Sequence, residues 1–408
     1  MLAITGLDSN AGAPLYRQLY SKIKELIDSG EIADGDRLPP TRELAGSLGL
    51  NRTTVSAAYD LLESDGLIKG HVGRGSFVSA GNKALISFST SRPSEALFPM
   101  DAFRATCSEV IQSEAAASIL QLGSPSGYAP LRRYLHDSGQ AEGTFREHDE
   151  ILITSGCQQA FDLLQRVLAA SGETVLVEDP VIPGLRNAFS RAGARLLGIP
   201  MTEEGIDLGA LERMLGRERP ALIVVTPNYQ NPTGFTMPVE RRKQLLDLVR
   251  SSGTRLVEND IYGDLRYEGD ALPTLKQLDD TGETILLRSF SKLAFPGLRV
   301  GWVTGPRALI ERLTEAKQWT DLHTDQLSQA VLFRFAQSGR LEAHRRRMLT
   351  AGRERLQAAV EACGKFLPAG TQFTKPQGGM NLWVRLPEPL DAGELLARAE
   401  REGVTYLP

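Results

Sequence analysis

The sequence predicts an α/β protein in two parts: a small helical unit closed by a β-hairpin, followed by a larger domain around a mostly parallel sheet. Three observations carry that expectation. At 408 residues the chain is too long for one ordinary hydrophobic core. Residues 14 to 78 show helical apolar spacing and then two short strands, whereas from Ile86 onward brief apolar runs alternate with amphipathic helical stretches. Between the two lies "SAGNKAL", a small polar linker over 79–85.

In the first part, "PLYRQLYSKIKELIDSG" places Leu15, Leu19, Ile23, Leu26 and Ile27 on one helical stripe that stops at Gly30. Pro39-Pro40 turns the chain, and Thr41 opens a second short helix that ends near Gly49. Asn51 then caps a third, with Val55, Tyr59 and Leu62 on one face. Helix, short turn, helix is a layout that sends the second helix of the pair into a DNA major groove, N-terminus first. The polar start Asn51, Arg52, Thr53, Thr54 is placed to meet bases and phosphates. "LIKGHVGRGSFV" reads as a hairpin around Gly73-Arg74-Gly75, whose arginine can reach a phosphate or the minor groove. Over residues 1 to 80, eight basic against ten acidic residues give −2, so non-specific DNA affinity is expected to be modest and salt-sensitive.

In the second part, "EILITSG", "TVLVEDP", "ALIVVTP", "TRLVEND", "TILLRSFS" and "RVGWVTG" read as strands, with helices such as "CQQAFDLLQRVLAASG" and "PVERRKQLLDLVRSSG" between them. Ligands of parallel sheets bind beyond the carboxyl ends of the strands, so the polar residues there are candidates as a set. "TSGCQQA" ends a strand and opens a helix, aiming the amides of Gly156, Cys157 and Gln158 at an anion. "NYQNPTG" offers Asn231 on a turn as a donor to an anionic oxygen. "ENDIYGD" sets Asp260 at a strand end, where it can pair with a protonated ring nitrogen, and Tyr262 two residues on. "RSFSKLAFPGLRVGW" adds the hydroxyls of Ser289 and Ser291, the guanidinium of Arg299 and the amine of Lys292. Phosphate, phenolate, ring nitrogen and aldehyde are the handles of pyridoxal 5′-phosphate, and Lys292 is the Schiff-base candidate.

Other features exclude alternatives. The chain carries 41% hydrophobic and 24% charged residues with a net charge of −4, as expected of a soluble globular protein. No apolar run approaches a membrane span, and the N-terminus lacks the layout of a signal peptide, so a cytoplasmic location is expected. Cys107, Cys157 and Cys363 are odd in number and widely spaced, which argues against disulfides and zinc. His71, His136, His148, His323 and His344 are scattered, and most are expected at the surface. "HRRRM" at 344–348 reads as a solvated or intersubunit face of a long helix. Gly378 and Gly379 allow a tight strand entry that brings Met380 or Asn381 to the pocket mouth.

Residues 12–78 resemble the winged helix-turn-helix of GntR-family bacterial regulators, through "RLPPTRELA", "NRTTV", "GLI" and "GRG.FV" in order. That resemblance implies Arg42, Arg52, Thr53, Thr54, Gly73 and Arg74 as DNA contacts and binding as dimers to paired half-sites. Residues 86–408, with a large part over about 110–325, resemble the fold-type I aminotransferases through "NPTG", "D.Y" and "SFSK…PGLR.GW". The fusion resembles the MocR/GabR subfamily of transcriptional regulators. It implies a head-to-tail homodimer in which an amino compound, or the vitamer itself, acts at the lysine and alters operator binding. The rival reading is an active aminotransferase with an accessory DNA-binding domain.

Three departures from the aminotransferase pattern are visible. Val181, Ile182 and Pro183 stand where a ring-stacking aromatic is common, and Leu122 in "LQLGSPSGY" stands where a tyrosine often reaches the neighbouring subunit's phosphate, with Tyr128 nearby but out of register. The small C-terminal domain reads as incomplete, because the family's carboxylate-binding arginine has no counterpart before "REGVTYLP".

Overall fold

The computed structural model describes Leu7 and residues 14–33, 35–71, 75–79 and 86–408. The chain divides into two compact units, Met1–Thr90 with Leu390–Pro408, and Ser91–Pro389.

In the first unit, helices α1 (Leu15–Asp28), α2 (Thr41–Leu48) and α3 (Arg52–Ser64) enclose a core of Leu19, Ile23, Leu38, Leu44, Val55 and Leu62, each buried. Gly49 closes α2 in the left-handed conformation at φ 64°, which a residue without a Cβ adopts freely. Asn51 caps α3 by accepting from the Thr53 amide at 3.1 Å. The Tyr59 hydroxyl donates to the Pro39 carbonyl at 2.8 Å, fastening α3 to the turn ahead of α2. Strands β1 (Ile68–His71) and β2 (Gly75–Val78) pair antiparallel, with Ile68 opposite Val78. Leu38 adds a third leg by donating its amide to Ser76 at 2.9 Å. This is the winged helix-turn-helix expected from the sequence. Gly73 and Arg74 lie outside the described residues.

The short strand β3 (Ile86–Ser87) pairs in parallel with Val404–Thr405. Both partners fall within the 86–408 stretch that the sequence suggests as one domain, and the compact units divide at Thr90 and Leu390.

The second unit is built on β4 (Asp149–Thr154), β5 (Thr174–Asp179), β6 (Arg195–Thr202), β7 (Gly205–Ile206), β8 (Leu222–Val225), β9 (Arg255–Asn259), β10 (Ile285–Ser289) and β11 (Gly301–Pro306). Their order is β4-β11-β10-β9-β8-β5-β6-β7. Neighbours from β10 through β6 are parallel, and β11 runs antiparallel to both β10 and β4. Helices including Cys157–Leu168 and Val239–Ser252 cover the sheet, so Leu152, Val175, Val177, Val224, Val257 and Leu287 are buried on one face and Leu176, Ile223, Val225 and Leu256 on the other. Burial on both faces is why these strands read as unbroken apolar runs.

The reversal of β11 matters for function. Its N-terminal end, entered from Arg299, lies at the same sheet edge as the carboxyl ends of β4, β5, β8, β9 and β10. Residues far apart in sequence are thus delivered to one edge. β6 has no counterpart among the strands read from sequence: only Ile199 in it is buried, and Gly198 and Pro200 interrupt its apolar residues. A half-buried strand carrying a proline lacks the apolar run that reveals the others.

Among the described residues no helix is long and apolar enough to cross a membrane. "HRRRM" lies in the helix Arg340–Phe366, whose Arg346 and Arg347 are exposed. His344 is an exception to the expected surface histidines: it is 1% exposed, with its ring stacked on Phe295.

Candidate functional site

The site is assembled at the edge where five strands end. β9 runs into Asp260, which is 4% exposed. Its Oδ1 accepts from Asn228 Nδ2 at 2.8 Å and its Oδ2 from Arg288 Nε at 3.1 Å. Burial pushes this carboxyl above the usual carboxylate range, opposed by the Arg288 charge and the Asn228 donor. Two residues on, the Tyr262 hydroxyl accepts from Asn231 Nδ2 at 2.9 Å, so the amide and the phenol stand side by side. Asn231 reaches that position on the loop after β8, which is fastened by Gln230. The Gln230 amide donates to buried Glu178 at 3.1 Å and accepts from the Thr233 amide at 2.9 Å.

β10 ends in a turn that carries Lys292 half-buried. Its Nζ donates to the Ser91 carbonyl and lies 5.4 Å from the Tyr262 ring centroid. Ser91 also receives Asn231 at its hydroxyl, 3.4 Å away, and donates to Asn381 Oδ1. Asn381 Nδ2 is buried without a partner among the described residues.

β4 ends at the helix Cys157–Leu168, and no side chain caps that helix start. Gly156 there has φ 85°, and a Cβ on it would fall 2.6 Å from Arg299 Nη2. The absence of a side chain lets the guanidinium close on the bare helix start. Arg299, itself left-handed at φ 54°, donates to the Ser155 carbonyl at 3.2 Å, with Ser291 Oγ 3.5 Å away. Ser289 Oγ donates to Ser291 Oγ at 3.0 Å. The charges of Lys292 and Arg299 both reach the Cys157 thiol, yet burial dominates and pushes it up to about 12. At neutral pH it stays a thiol, and its contact is the Arg288 carbonyl at 3.8 Å. The Gln158 side chain is exposed and turns to the Gly184 carbonyl, leaving its backbone amide as its part of the seat.

The donor set fits pyridoxal 5′-phosphate. An uncapped helix start, two hydroxyls and a guanidinium suit a dianion; a buried carboxylate suits a pyridinium; an amide beside a phenol suits a phenolate; a half-buried amine suits an aldehyde. Val181 and Ile182 pack against the core under β5, so aliphatic side chains stand where a stacking ring was sought. Tyr128 packs on Phe333 at 6.3 Å between centroids, whereas Leu122 is 72% exposed.

Sequence reading passed over Arg288, Asn228 and Ser91. Arg288 carried a signal, a charge inside an otherwise apolar strand. Asn228 sits three residues ahead of Asn231 and was hidden beside a stronger motif. Ser91 offers its carbonyl to Lys292 and its hydroxyl to Asn231 and Asn381 from far outside any motif.

On the DNA-binding unit, Arg42, Arg52 and Thr53 are exposed and Thr54 is half-buried. Among the described residues neither arginine is held in an ion pair. Asn51 Oδ1 is committed to its cap, which leaves Arg52, Thr53 and Thr54 as the candidate DNA contacts at the start of α3.

Residues 15–78 match the gntR family of bacterial regulatory proteins and residues 94–406 match aminotransferase class I and II. The uncharacterized HTH-type transcriptional regulator YdcR of Escherichia coli is 30% identical over 426 residues, covering 96% of this chain and 91% of YdcR. The chain belongs to the MocR/GabR subfamily of GntR regulators. The probable rhizopine catabolism regulatory protein MocR of Rhizobium meliloti is 29% identical, covering 98% of this chain and 88% of that protein. Among solved structures, kynurenine aminotransferase of Pyrococcus horikoshii, in complex with PMP, superposes with a TM-score of 0.77 at 36% identity, covering 80% of this chain and 82% of that one. The cofactor of this MocR/GabR-type chain is pyridoxal 5′-phosphate.

Gly156→Ala tests the phosphate seat. The substituted residue would hold a conformation that costs about 1–3 kcal/mol outside glycine, and its Cβ would displace Arg299. The expected result, by equilibrium dialysis, is a cofactor dissociation constant raised about tenfold or more; an unchanged constant would place the phosphate elsewhere.

Proposed function

We propose that this protein is a cytoplasmic transcriptional regulator that binds operator DNA through its winged helix and senses an amino compound, or the vitamer, at Lys292. The observation that carries the reading is the coexistence in one chain of an exposed arginine-bearing helix start and a complete donor set for pyridoxal 5′-phosphate. Similarity to regulators along almost the whole chain, rather than over one part, supports it. So does the aliphatic pair Val181 and Ile182, since turnover depends on a ring held in a closely defined orientation.

In this reading Gly156, Cys157 and Gln158 bind the phosphate through their amides, with Ser289, Ser291 and Arg299. Asn231 and Tyr262 orient the phenolic oxygen, and Asp260 holds a proton at the ring nitrogen. When bound, the cofactor supplies an aldehyde whose bond to Lys292 an incoming primary amine can replace. The Ser91 carbonyl and the Tyr262 ring face hold the Lys292 amine whenever it is free. Such a local change reaches DNA only if two domain arrangements differ in affinity for the amine.

A head-to-tail homodimer is part of the proposal. Leu122 and Trp319 are 72% and 83% exposed, and Leu120 and Leu322 are exposed as well. The two segments that carry them are joined where Gln326 donates to the Gln121 carbonyl. The same region touches the phosphate seat, since Ser155 and Gln159 contact Thr324 and Asp321. A second copy covering this patch would lie next to the cofactor.

The experiment is a DNA titration of the loaded protein with and without a panel of primary amines. At least one amine is expected to change the DNA dissociation constant about fivefold or more, the lower range of allosteric coupling. A panel that alters the cofactor's visible spectrum but leaves DNA affinity untouched would refute sensing.

A further inference from the structure

Arg242, on the helix Val239–Ser252, is wholly buried. Its Nε donates to the Met237 carbonyl at 2.9 Å, its Nη1 to Pro273 at 2.8 Å and its Nη2 to Pro227 at 3.3 Å. Pro227 and Met237 are the two legs of the loop that carries Asn231, and they are joined by the Met237 amide at 2.8 Å. If that were all, Arg242 would be a loop staple. Its Nη2 also donates to Asn228 Oδ1 at 2.7 Å, and this bond has a chemical consequence.

A guanidinium only donates, so the side facing it must be the oxygen of the Asn228 amide. The NH₂ is thereby turned toward Asp260 Oδ1, 2.8 Å away. With Arg288 on Oδ2, both carboxylate oxygens are held by donors that cannot reverse. Asn228 is 5% exposed and Asp260 4%, so water does not readily replace either bond. The space is close: a Cβ on Gly263 would lie 2.3 Å from Asp260 Oδ1. We infer that Arg242 and Asn228 are positioning residues, which set the plane of the Asp260 carboxylate and tie it to the loop bearing Asn231. The inference rests on the reading that Asp260 meets the ring nitrogen, and it names the residues that aim it.

The test is a double-mutant cycle on the full chain, with pyridoxal 5′-phosphate affinity and the bound cofactor's visible band as readouts. Asn228→Ala should weaken affinity about tenfold, the scale of losing a partner that orients a ligating group, and should shift the band. In an Asp260→Asn background the same change should do neither, because residues that act through one another are non-additive. An undiminished effect in that background, or wild-type affinity and band for Asn228→Ala, would overturn the inference. Wild-type binding by Asp260→Asn alone would overturn it by removing the reading beneath it. Arg242→Lys supplies the same comparison should Asn228→Ala fail to fold, since the shorter, unforked amine keeps a buried cation but gives up the reach to Asn228.

Discussion

Lys292→Ala is expected to abolish stable retention of pyridoxal 5′-phosphate while leaving the fold intact. The lysine is half-buried on a turn, and its amine meets one carbonyl and one ring face, so little of the core depends on it. The phosphate seat, Asp260 and the Asn231–Tyr262 pair remain, and they would still bind the cofactor reversibly. What disappears is the covalent link, and the dissociation constant should rise by about 100-fold or more, a loss of about 2.8 kcal/mol. Gel filtration followed by absorbance reads this directly. The variant should emerge without visible colour, and any thermal stabilisation by added cofactor should shrink in step. Colour that survives filtration would mean that another amine holds the cofactor.

Arg52→Ala is expected to have the complementary effect, loss of specific DNA binding with the cofactor untouched. Arg52 is the first residue of α3 and is exposed, while Asn51 holds the helix start in place. A contact from that position to a base edge is worth about 1–3 kcal/mol. In a dimer on two half-sites the loss is counted twice, so affinity should fall by about 30-fold at least. Arg42→Ala, removing a charge from the start of α2, should weaken binding to all sequences alike and flatten the salt dependence. Anisotropy at two salt concentrations separates the two variants, and loss of cofactor absorbance in either would count against separable roles.

How much of this was legible depends on how local each signal is. α1 to α3 were legible because each carries its own apolar stripe and its own stop or cap, at Gly30, Gly49 and Asn51. Six strands were legible because helices bury both of their faces. β6 was not, because its Gly198 and Pro200 interrupt the apolar run. The pairing of Ile86–Ser87 with Val404–Thr405 joins residues more than 300 positions apart, and no local pattern could announce it.

The candidate site shows the same division. Gly156, Asn231, Asp260 and Lys292 could be named in advance because each follows a strand, and a parallel sheet collects its ligands at strand ends. The groups that orient them could not. Arg242 looks like one more charge on an amphipathic helix until its four bonds are traced. For Gly73 and Arg74 contact with DNA is an expectation from the resemblance alone.

The measurement that bears most directly on regulation is a fluorescence-anisotropy titration of the cofactor-loaded protein. The DNA should come from upstream of its own gene, with excess unrelated DNA as competitor. A regulator should hold that site through the competitor, since specific sites exceed non-specific ones by about 10³-fold or more. Binding that collapses under competitor would contradict the account and favour an aminotransferase with an accessory DNA-binding domain.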